Sequence, residues 1–233
     1  MSTTDKSLLW LYFWRFSTER IVATALGLDY NKNRNTLARL SNRGLTKRTE
    51  SSRSSSKFIY LLTKEGVDYC KKCYDMELNY DTDISHMRQG GVIHTLACQL
   101  VTARSADLIE SYEPERLLKA AFTTGKHPDI KWIVNGKNIA VEVELDGKSG
   151  WDLHMMLVRI VESIEGGDFY GYLIFYTCPE TLARYKSALS RQIPRWERHG
   201  ASGQPVQIGF VKARPEVLSR ITHIYVKNLI KEV

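Results

Sequence analysis

Apolar residues recur at helical spacing from Ser7 to about Leu26, with Ser7 placed to cap the first turn and Gly27 to stop the last. A second helix is predicted from about Lys32 to Asn42. Leu37 and Leu40 form its inward stripe, Lys32, Arg34, Arg39 and Arg43 are left outside, and Gly44 ends it. The period then changes. Leu45 to Lys57 is rich in Ser, Arg and Lys and leads into the strand-like run Phe58–Leu62, so it reads as a basic loop between two strands. Leu62-Thr63-Lys64-Glu65-Gly66 opens a closing helix, and the aperiodic acidic stretch from Asp75 to Asp83 puts a domain boundary at Tyr80–Ile84.

Beyond that boundary, Ser85 to about Ser111 carries apolar residues at helical intervals and predicts a long helix packed on a sheet, with His94 on it. Ile130–Val134 and Asn138–Leu145 are strand-like and joined at Asn135-Gly136, a strong hairpin signal. A helix from about Trp151 to Glu165, a strand at Tyr172–Tyr176, a helix from Glu180 and a strand at Val206–Val211 follow. The whole reads as an α/β chain (α+β overall) of two domains, 1–80 and 85–233, the second a mixed sheet flanked by helices.

The second strand of the hairpin places Glu142 and Glu144 on one face and Val141, Val143 and Leu145 on the other. Carboxylates in an otherwise apolar strand are costly to bury without a cationic partner. Asp129, opening the first strand, is expected beside them, so that three hard oxygen donors converge on Mg²⁺ or Mn²⁺. Lys148, four residues on, can stabilise charge developing on a phosphate. The alternative is that Glu142 and Glu144 line an exposed sheet edge opposite Lys131 or Lys137, with no metal.

Charge sharpens the picture. The chain has 233 residues, is 43% hydrophobic and carries a net charge of +7. Residues 1–79 hold 14 Lys and Arg against 8 Asp and Glu, so six of those seven charges lie in the first third. A polyanionic partner fits this distribution. Lys32, Arg34, Asn35, Arg39, Arg43, Lys47, Arg48, Arg53 and Lys57 are the candidate DNA contacts, with Asn33, Thr36 and Asn42 as further base-edge readers. Four cysteines and no secretory leader suit a reduced, cytoplasmic protein, and no apolar run is long enough for membrane insertion. Cys70-Lys71-Lys72-Cys73 lacks the second ligand pair of a zinc site. Tyr12, between Leu11 and Phe13, is expected to be buried rather than nucleophilic. Asp152 and His154 are candidate groups behind the carboxylates, and Arg184, Lys186, Arg191, Arg195 and Arg198 form a second basic stretch with Tyr185 and Trp196, fit for a nucleic-acid backbone or for solvent.

The order helix, basic helix, short strand, basic loop, strand and closing helix over about 7–79 resembles the winged helix-turn-helix family. Pro128-Asp129, Glu142-Val143-Glu144 and Lys148, within residues 85–215, resemble the PD-(D/E)XK restriction-endonuclease superfamily, and Glu-Val-Glu-Leu-Asp-Gly-Lys-Ser resembles its replication-relaxation branch. The usual motif has Lys where this chain has Glu144. The two together resemble the MobC-type plasmid relaxases. That resemblance implies a metal-dependent DNA endonuclease that nicks one strand at a plasmid origin of transfer during mobilization and conjugation. It implies Asp129, Glu142 and Glu144 on metal, with Lys148 at the phosphate. His94, a type of residue that on such a helix is more often structural, stays a catalytic candidate. Implied partners are double-stranded origin DNA, single-stranded DNA, and relaxosome accessory and coupling proteins. The competing expectations are a non-catalytic winged-helix regulator of replication or transcription whose nuclease-like domain dimerises, and an accessory scaffold that brings a separate relaxase to DNA.

Overall fold

A computed structural model describes residues 1–51, 54–121, 127–198 and 204–233, and divides the chain into two compact units, Met1–His127 with Ile230–Val233, and Pro128–Leu229. The fold is mixed α/β with a mixed sheet. The units part well beyond the 80–85 boundary expected from composition.

The first unit opens with α1 (Thr3–Trp14), capped by the reciprocal Ser2 and Asp5 bonds of a capping box. The helix expected to continue to Leu26 stops here. Arg15 takes a positive φ of 75°, its N–H bonds the Leu11 carbonyl at 2.7 Å, and β1 (Phe16–Ser17) leaves to pair antiparallel with Leu61 and Tyr60. Helix α2 (Glu19–Ala25) restarts under a Thr18 cap. The expected basic helix is likewise two pieces, α3 (Tyr30–Asn33) and α4 (Thr36–Asn42), broken at Arg34 and Asn35. Strands β2 (Thr46–Glu50) and β3 (Phe58–Leu62) pair antiparallel, giving a three-stranded sheet in the order β1-β3-β2. Helix α5 (Lys64–Tyr74) follows under a Thr63 cap.

Helix α6 (Gln89–Arg104), β4 (Ser111–Pro114) and α7 (Glu115–Ala121) complete this unit. Gln99 on α6 is fully buried, accepts from Trp10 Nε1 at 3.0 Å and donates to the Phe16 carbonyl at 2.8 Å. That satisfied amide fixes α6 against α1 and β1 in a core that includes Leu8, Leu11, Leu37, Leu40, Leu61 and Leu96. Tyr12 is buried as expected, its hydroxyl donating to the Met76 carbonyl. Cys70 and Cys73 are free, the first buried and the second exposed.

The second unit begins with the hairpin β5 (Ile130–Val134) and β6 (Lys137–Glu144), turned through Asn135 and Gly136 at φ 49° and 68°. These left-handed angles are those the Asn-Gly pair accommodates. Then come α8 (Gly150–Glu165), β7 (Gly171–Tyr176), α9 (Pro179–Leu189), the antiparallel pair β8 (Ile193–Arg198) and β9 (Pro205–Val211), α10 (Pro215–Leu218) and β10 (Ile221–Tyr225), whereas α11 (Leu229–Glu232) belongs from Ile230 onward to the first unit. The unit contributes four strands to the mixed sheet, in the order β10-β7-β6-β5, with β6 parallel to β7 and antiparallel to β5. Leu153, Leu157, Ile160 and Ile164 of α8 and Leu189 of α9 pack on Ala140, Tyr172 and Ile174 of the sheet. Among the described residues no helix is long and apolar enough to cross a membrane.

Candidate functional site

Strand β6 lies between β5 and β7, so both its edges are paired. Glu142 and Glu144 share the face of Ala140, the face that α8 and α9 cover, and are only 4% and 3% exposed. The exposed-edge alternative is therefore overturned: an interior strand lends these carboxylates no solvent. One step beyond the Ile130↔Val141 pair, Asp129 comes alongside Glu142, and its Oδ2 accepts the Val143 N–H at 2.8 Å.

Each buried glutamate has its own cation. Arg159 of α8 donates from Nη2 to Glu142 Oε1, and Lys148 donates from Nζ to Glu144 Oε1. Tyr185 of α9 donates to Glu144 Oε2 at 2.8 Å, and its oxygen accepts the Lys148 N–H at 3.0 Å. Burial drives the Glu142 carboxyl up to about 8, and the Asp129 charge adds to the rise against Arg159 and Lys148. Burial and Glu144 likewise push the Tyr185 phenol upward, so it remains a donor. Three carboxylates face two cations, a donor set whose chemistry fits a hard divalent ion. Among the described residues their ligand atoms do not all gather within 4.8 Å of one another, and Lys148, Arg159 and Tyr185 bond the glutamate oxygens.

The second unit thus brings together Asp129, Glu142, Glu144 and Lys148. His94 belongs to the first unit, on α6, with Nδ1 3.8 Å from Cys98 Sγ one turn away. Asp152 is exposed in the first turn of α8, and His154 Nδ1 accepts from Trp196 Nε1 at 3.2 Å. Arg159 and Tyr185 were not singled out from sequence as partners of the acids. A signal existed: Arg159 is a lone cation inside the apolar run Met155–Val161, and Tyr185 lies on the buried stripe of α9 with Thr181 and Leu189.

In the first unit, Lys32, Arg34, Asn35, Arg39, Arg43, Lys47, Arg48 and Lys57 are all exposed, on α3, α4, β2 and their flanks. Arg53 lies outside the described residues. Lys32 is 3.9 Å from Asp29 and Lys57 is 3.8 Å from Glu50, at exposed positions where ion pairs contribute little. Arg34, Arg39, Arg43, Lys47 and Arg48 have no ion pair within 4.0 Å among the described residues, although Arg48 stacks over Phe58 at 4.1 Å. Glu19 on α2 sets the orientation of α4: its two carboxylate oxygens accept the Leu37 and Ala38 N–H groups at 3.0 and 2.9 Å. Compared with protein-family models, curated proteins and solved structures, the chain matches none.

Proposed function

We propose that the chain is a metal-dependent DNA endonuclease, with a winged-helix reader formed by α1 to α5 and a PD-(D/E)XK-like centre on β5 and β6. In its most specific form it is a relaxase of the MobC type, nicking one strand at a plasmid origin of transfer. The observation that carries the reading is the pair of buried glutamates on an interior strand beside Asp129, with Lys148 and Arg159 against them. A purely structural strand has no need of two acids whose burial must be compensated.

Asp129, Glu142 and Glu144 would hold the ion. Bound Mg²⁺ or Mn²⁺ supplies Lewis-acid polarisation of the scissile phosphate and makes water a better nucleophile. Tyr185 keeps Glu144 oriented through one oxygen. Lys148, paired to the other, delivers positive charge where the pentavalent phosphorus accumulates negative charge. Arg159 opposes the rise in the proton affinity of Glu142 and holds its carboxylate in place. The exposed cations of α3, α4 and β2 neutralise backbone phosphates and set the register on the duplex.

The test is conversion of supercoiled plasmid carrying candidate origin DNA to the open-circular form. The wild type is expected to nick in Mg²⁺ or Mn²⁺ and to stop in EDTA, and Glu142→Ala to lose about a hundredfold or more in rate. A specific observation favours a second reading: Glu144 stands where the superfamily has lysine, and cations already hold both glutamates. If the wild type binds DNA and never nicks, even with accessory proteins added, the chain is a non-catalytic DNA-binding regulator.

A further inference from the structure

Beside the carboxylates, at the start of α8, lies an open cavity of about 470 Å³. Its polar lining is Ser149, His154, Arg184, Ser187, Arg191 and Gln192, and it holds no acidic side chain. Arg184 and Arg191 are exposed and form no ion pair among the described residues, unlike Arg195 and Arg214 nearby in sequence, which are paired to Glu162 and Glu165. Two guanidinium groups facing one cavity without a counter-charge repel each other unless an anion lies between them.

Two further features point to the same ligand charge. The Trp196 indole can only donate, so His154 Nδ1 accepts its hydrogen bond at 3.2 Å and the imidazole proton sits on Nε2, a second donor. Burial holds His154 below its ordinary range, which favours that neutral form, and the indole stacks on it at an interplanar angle of 2°. The first-turn N–H groups of α8 also receive no cap from the Ser149 side chain, leaving donors at the mouth of a 16-residue helix.

The cavity is tied to the carboxylate cluster by chain neighbours. Ser149 follows Lys148, and Arg184 precedes the Tyr185 that binds both Lys148 N–H and Glu144. A Cβ on Gly147 would collide with the Arg184 guanidinium and with Thr181, so the loop lies flat against the arginine. We propose that this cavity binds a backbone phosphodiester of a nucleic-acid strand, next to the one the carboxylates act on, with Arg184 and Arg191 as its principal contacts. The inference rests on the nucleic-acid part of the function proposed above.

The test is fluorescence anisotropy of a short labelled oligothymidylate against the full chain in EDTA, across a salt series, so that neither metal nor cleavage contributes. R184Q/R191Q is compared with K212Q/K227Q, which removes the same charge from exposed positions elsewhere in the same unit, and with S187E, which adds an anion at the cavity wall. R184Q/R191Q is expected to weaken binding about tenfold and to lower the slope of log K against log salt by about 0.7, the counterion release of the single-strand phosphate contact the cavity makes. S187E is expected to weaken binding in the same direction, K212Q/K227Q to leave the slope in place, and thermal melts to report all variants folded. An unaltered slope in R184Q/R191Q, or an equal fall in K212Q/K227Q, overturns the proposal. Calorimetry with inorganic phosphate alone separates the ion from the strand: arginine-dependent phosphate binding without an arginine-dependent oligonucleotide slope assigns the cavity to free phosphate and also overturns it. Absence of plasmid nicking, with the arginine-dependent slope intact, would remove the nuclease centre and leave the cavity standing.

Discussion

Glu142 carries the sharpest conflict in the chain. Its carboxylate is buried, faces Asp129, and is ion-paired to Arg159. The folded-state affinity for a proton is therefore higher than in the unfolded chain, where a glutamate titrates near 4.5. The sign follows: stability is highest below about 4.5 as far as this group is concerned, and is lost as pH rises from there through about 8. Glu142→Gln, which keeps an acceptor for Arg159 and removes the charge, is expected to raise stability in EDTA at pH 8 by roughly 2 kcal/mol and to abolish nicking. Urea denaturation at pH 5 and pH 8 checks it; a variant that is less stable than wild type at pH 8 contradicts the conflict described here. The acids themselves were legible in sequence, because alternation put both on one face of an apolar strand. Their partners were not, because Arg159 and Tyr185 reach them across 17 and 41 positions of chain, and no local period encodes such a meeting.

At the scale of elements, local periodicity located every long helix and the β5–β6 hairpin, and failed where a distant strand competed. Apolar spacing through residues 7–26 is continuous, yet Phe16 and Ser17 pair with Leu61 and Tyr60 of β3, and Arg15 turns the chain between them. Its guanidinium bonds the Asp83 carbonyl at 2.7 Å, so residues 68 positions away stabilise the break. The break between α3 and α4 has a different cause. Asn35 gives α4 no side-chain cap, and Glu19 supplies one from another helix. Glu19→Ala is expected to cost about 1–2 kcal/mol in stability and to weaken DNA binding through the misplaced α4, while Glu19→Gln, retaining one acceptor, costs less than half as much. Paired denaturation and gel-shift measurements read both effects. Equal losses in the two variants would show that burial of the charge, rather than the two hydrogen bonds, sets the role of Glu19.

For the molecule as a whole, charge and burial divide the work between the two units. Among the described residues, the cations singled out in the first unit are exposed and most form no ion pair; Glu142 and Glu144 of the second are buried and held by cations. Composition made the first half of that division legible, since six of seven net charges fall in residues 1–79. It did not make the extent of the units legible: α6 follows an acidic, aperiodic stretch that looks like a linker, yet its Gln99, Leu96 and Leu100 are buried with the first unit. Strands β8 and β10 were also missed, because the alternation of Ile193–Arg198 is masked by Pro194 and three charges, and Ile221–Tyr225 is short. Asp129, just before β5, and Glu142 and Glu144 of β6 are proposed to form a divalent-metal site. Calorimetric titration of Mn²⁺ into the metal-free chain, beside Asp129→Asn and Glu142→Gln, tests it most directly. Saturable binding is expected in the wild type, weakened at least about tenfold in each variant; identical binding in all three, or none in the wild type, would rule out a metal site at these acids.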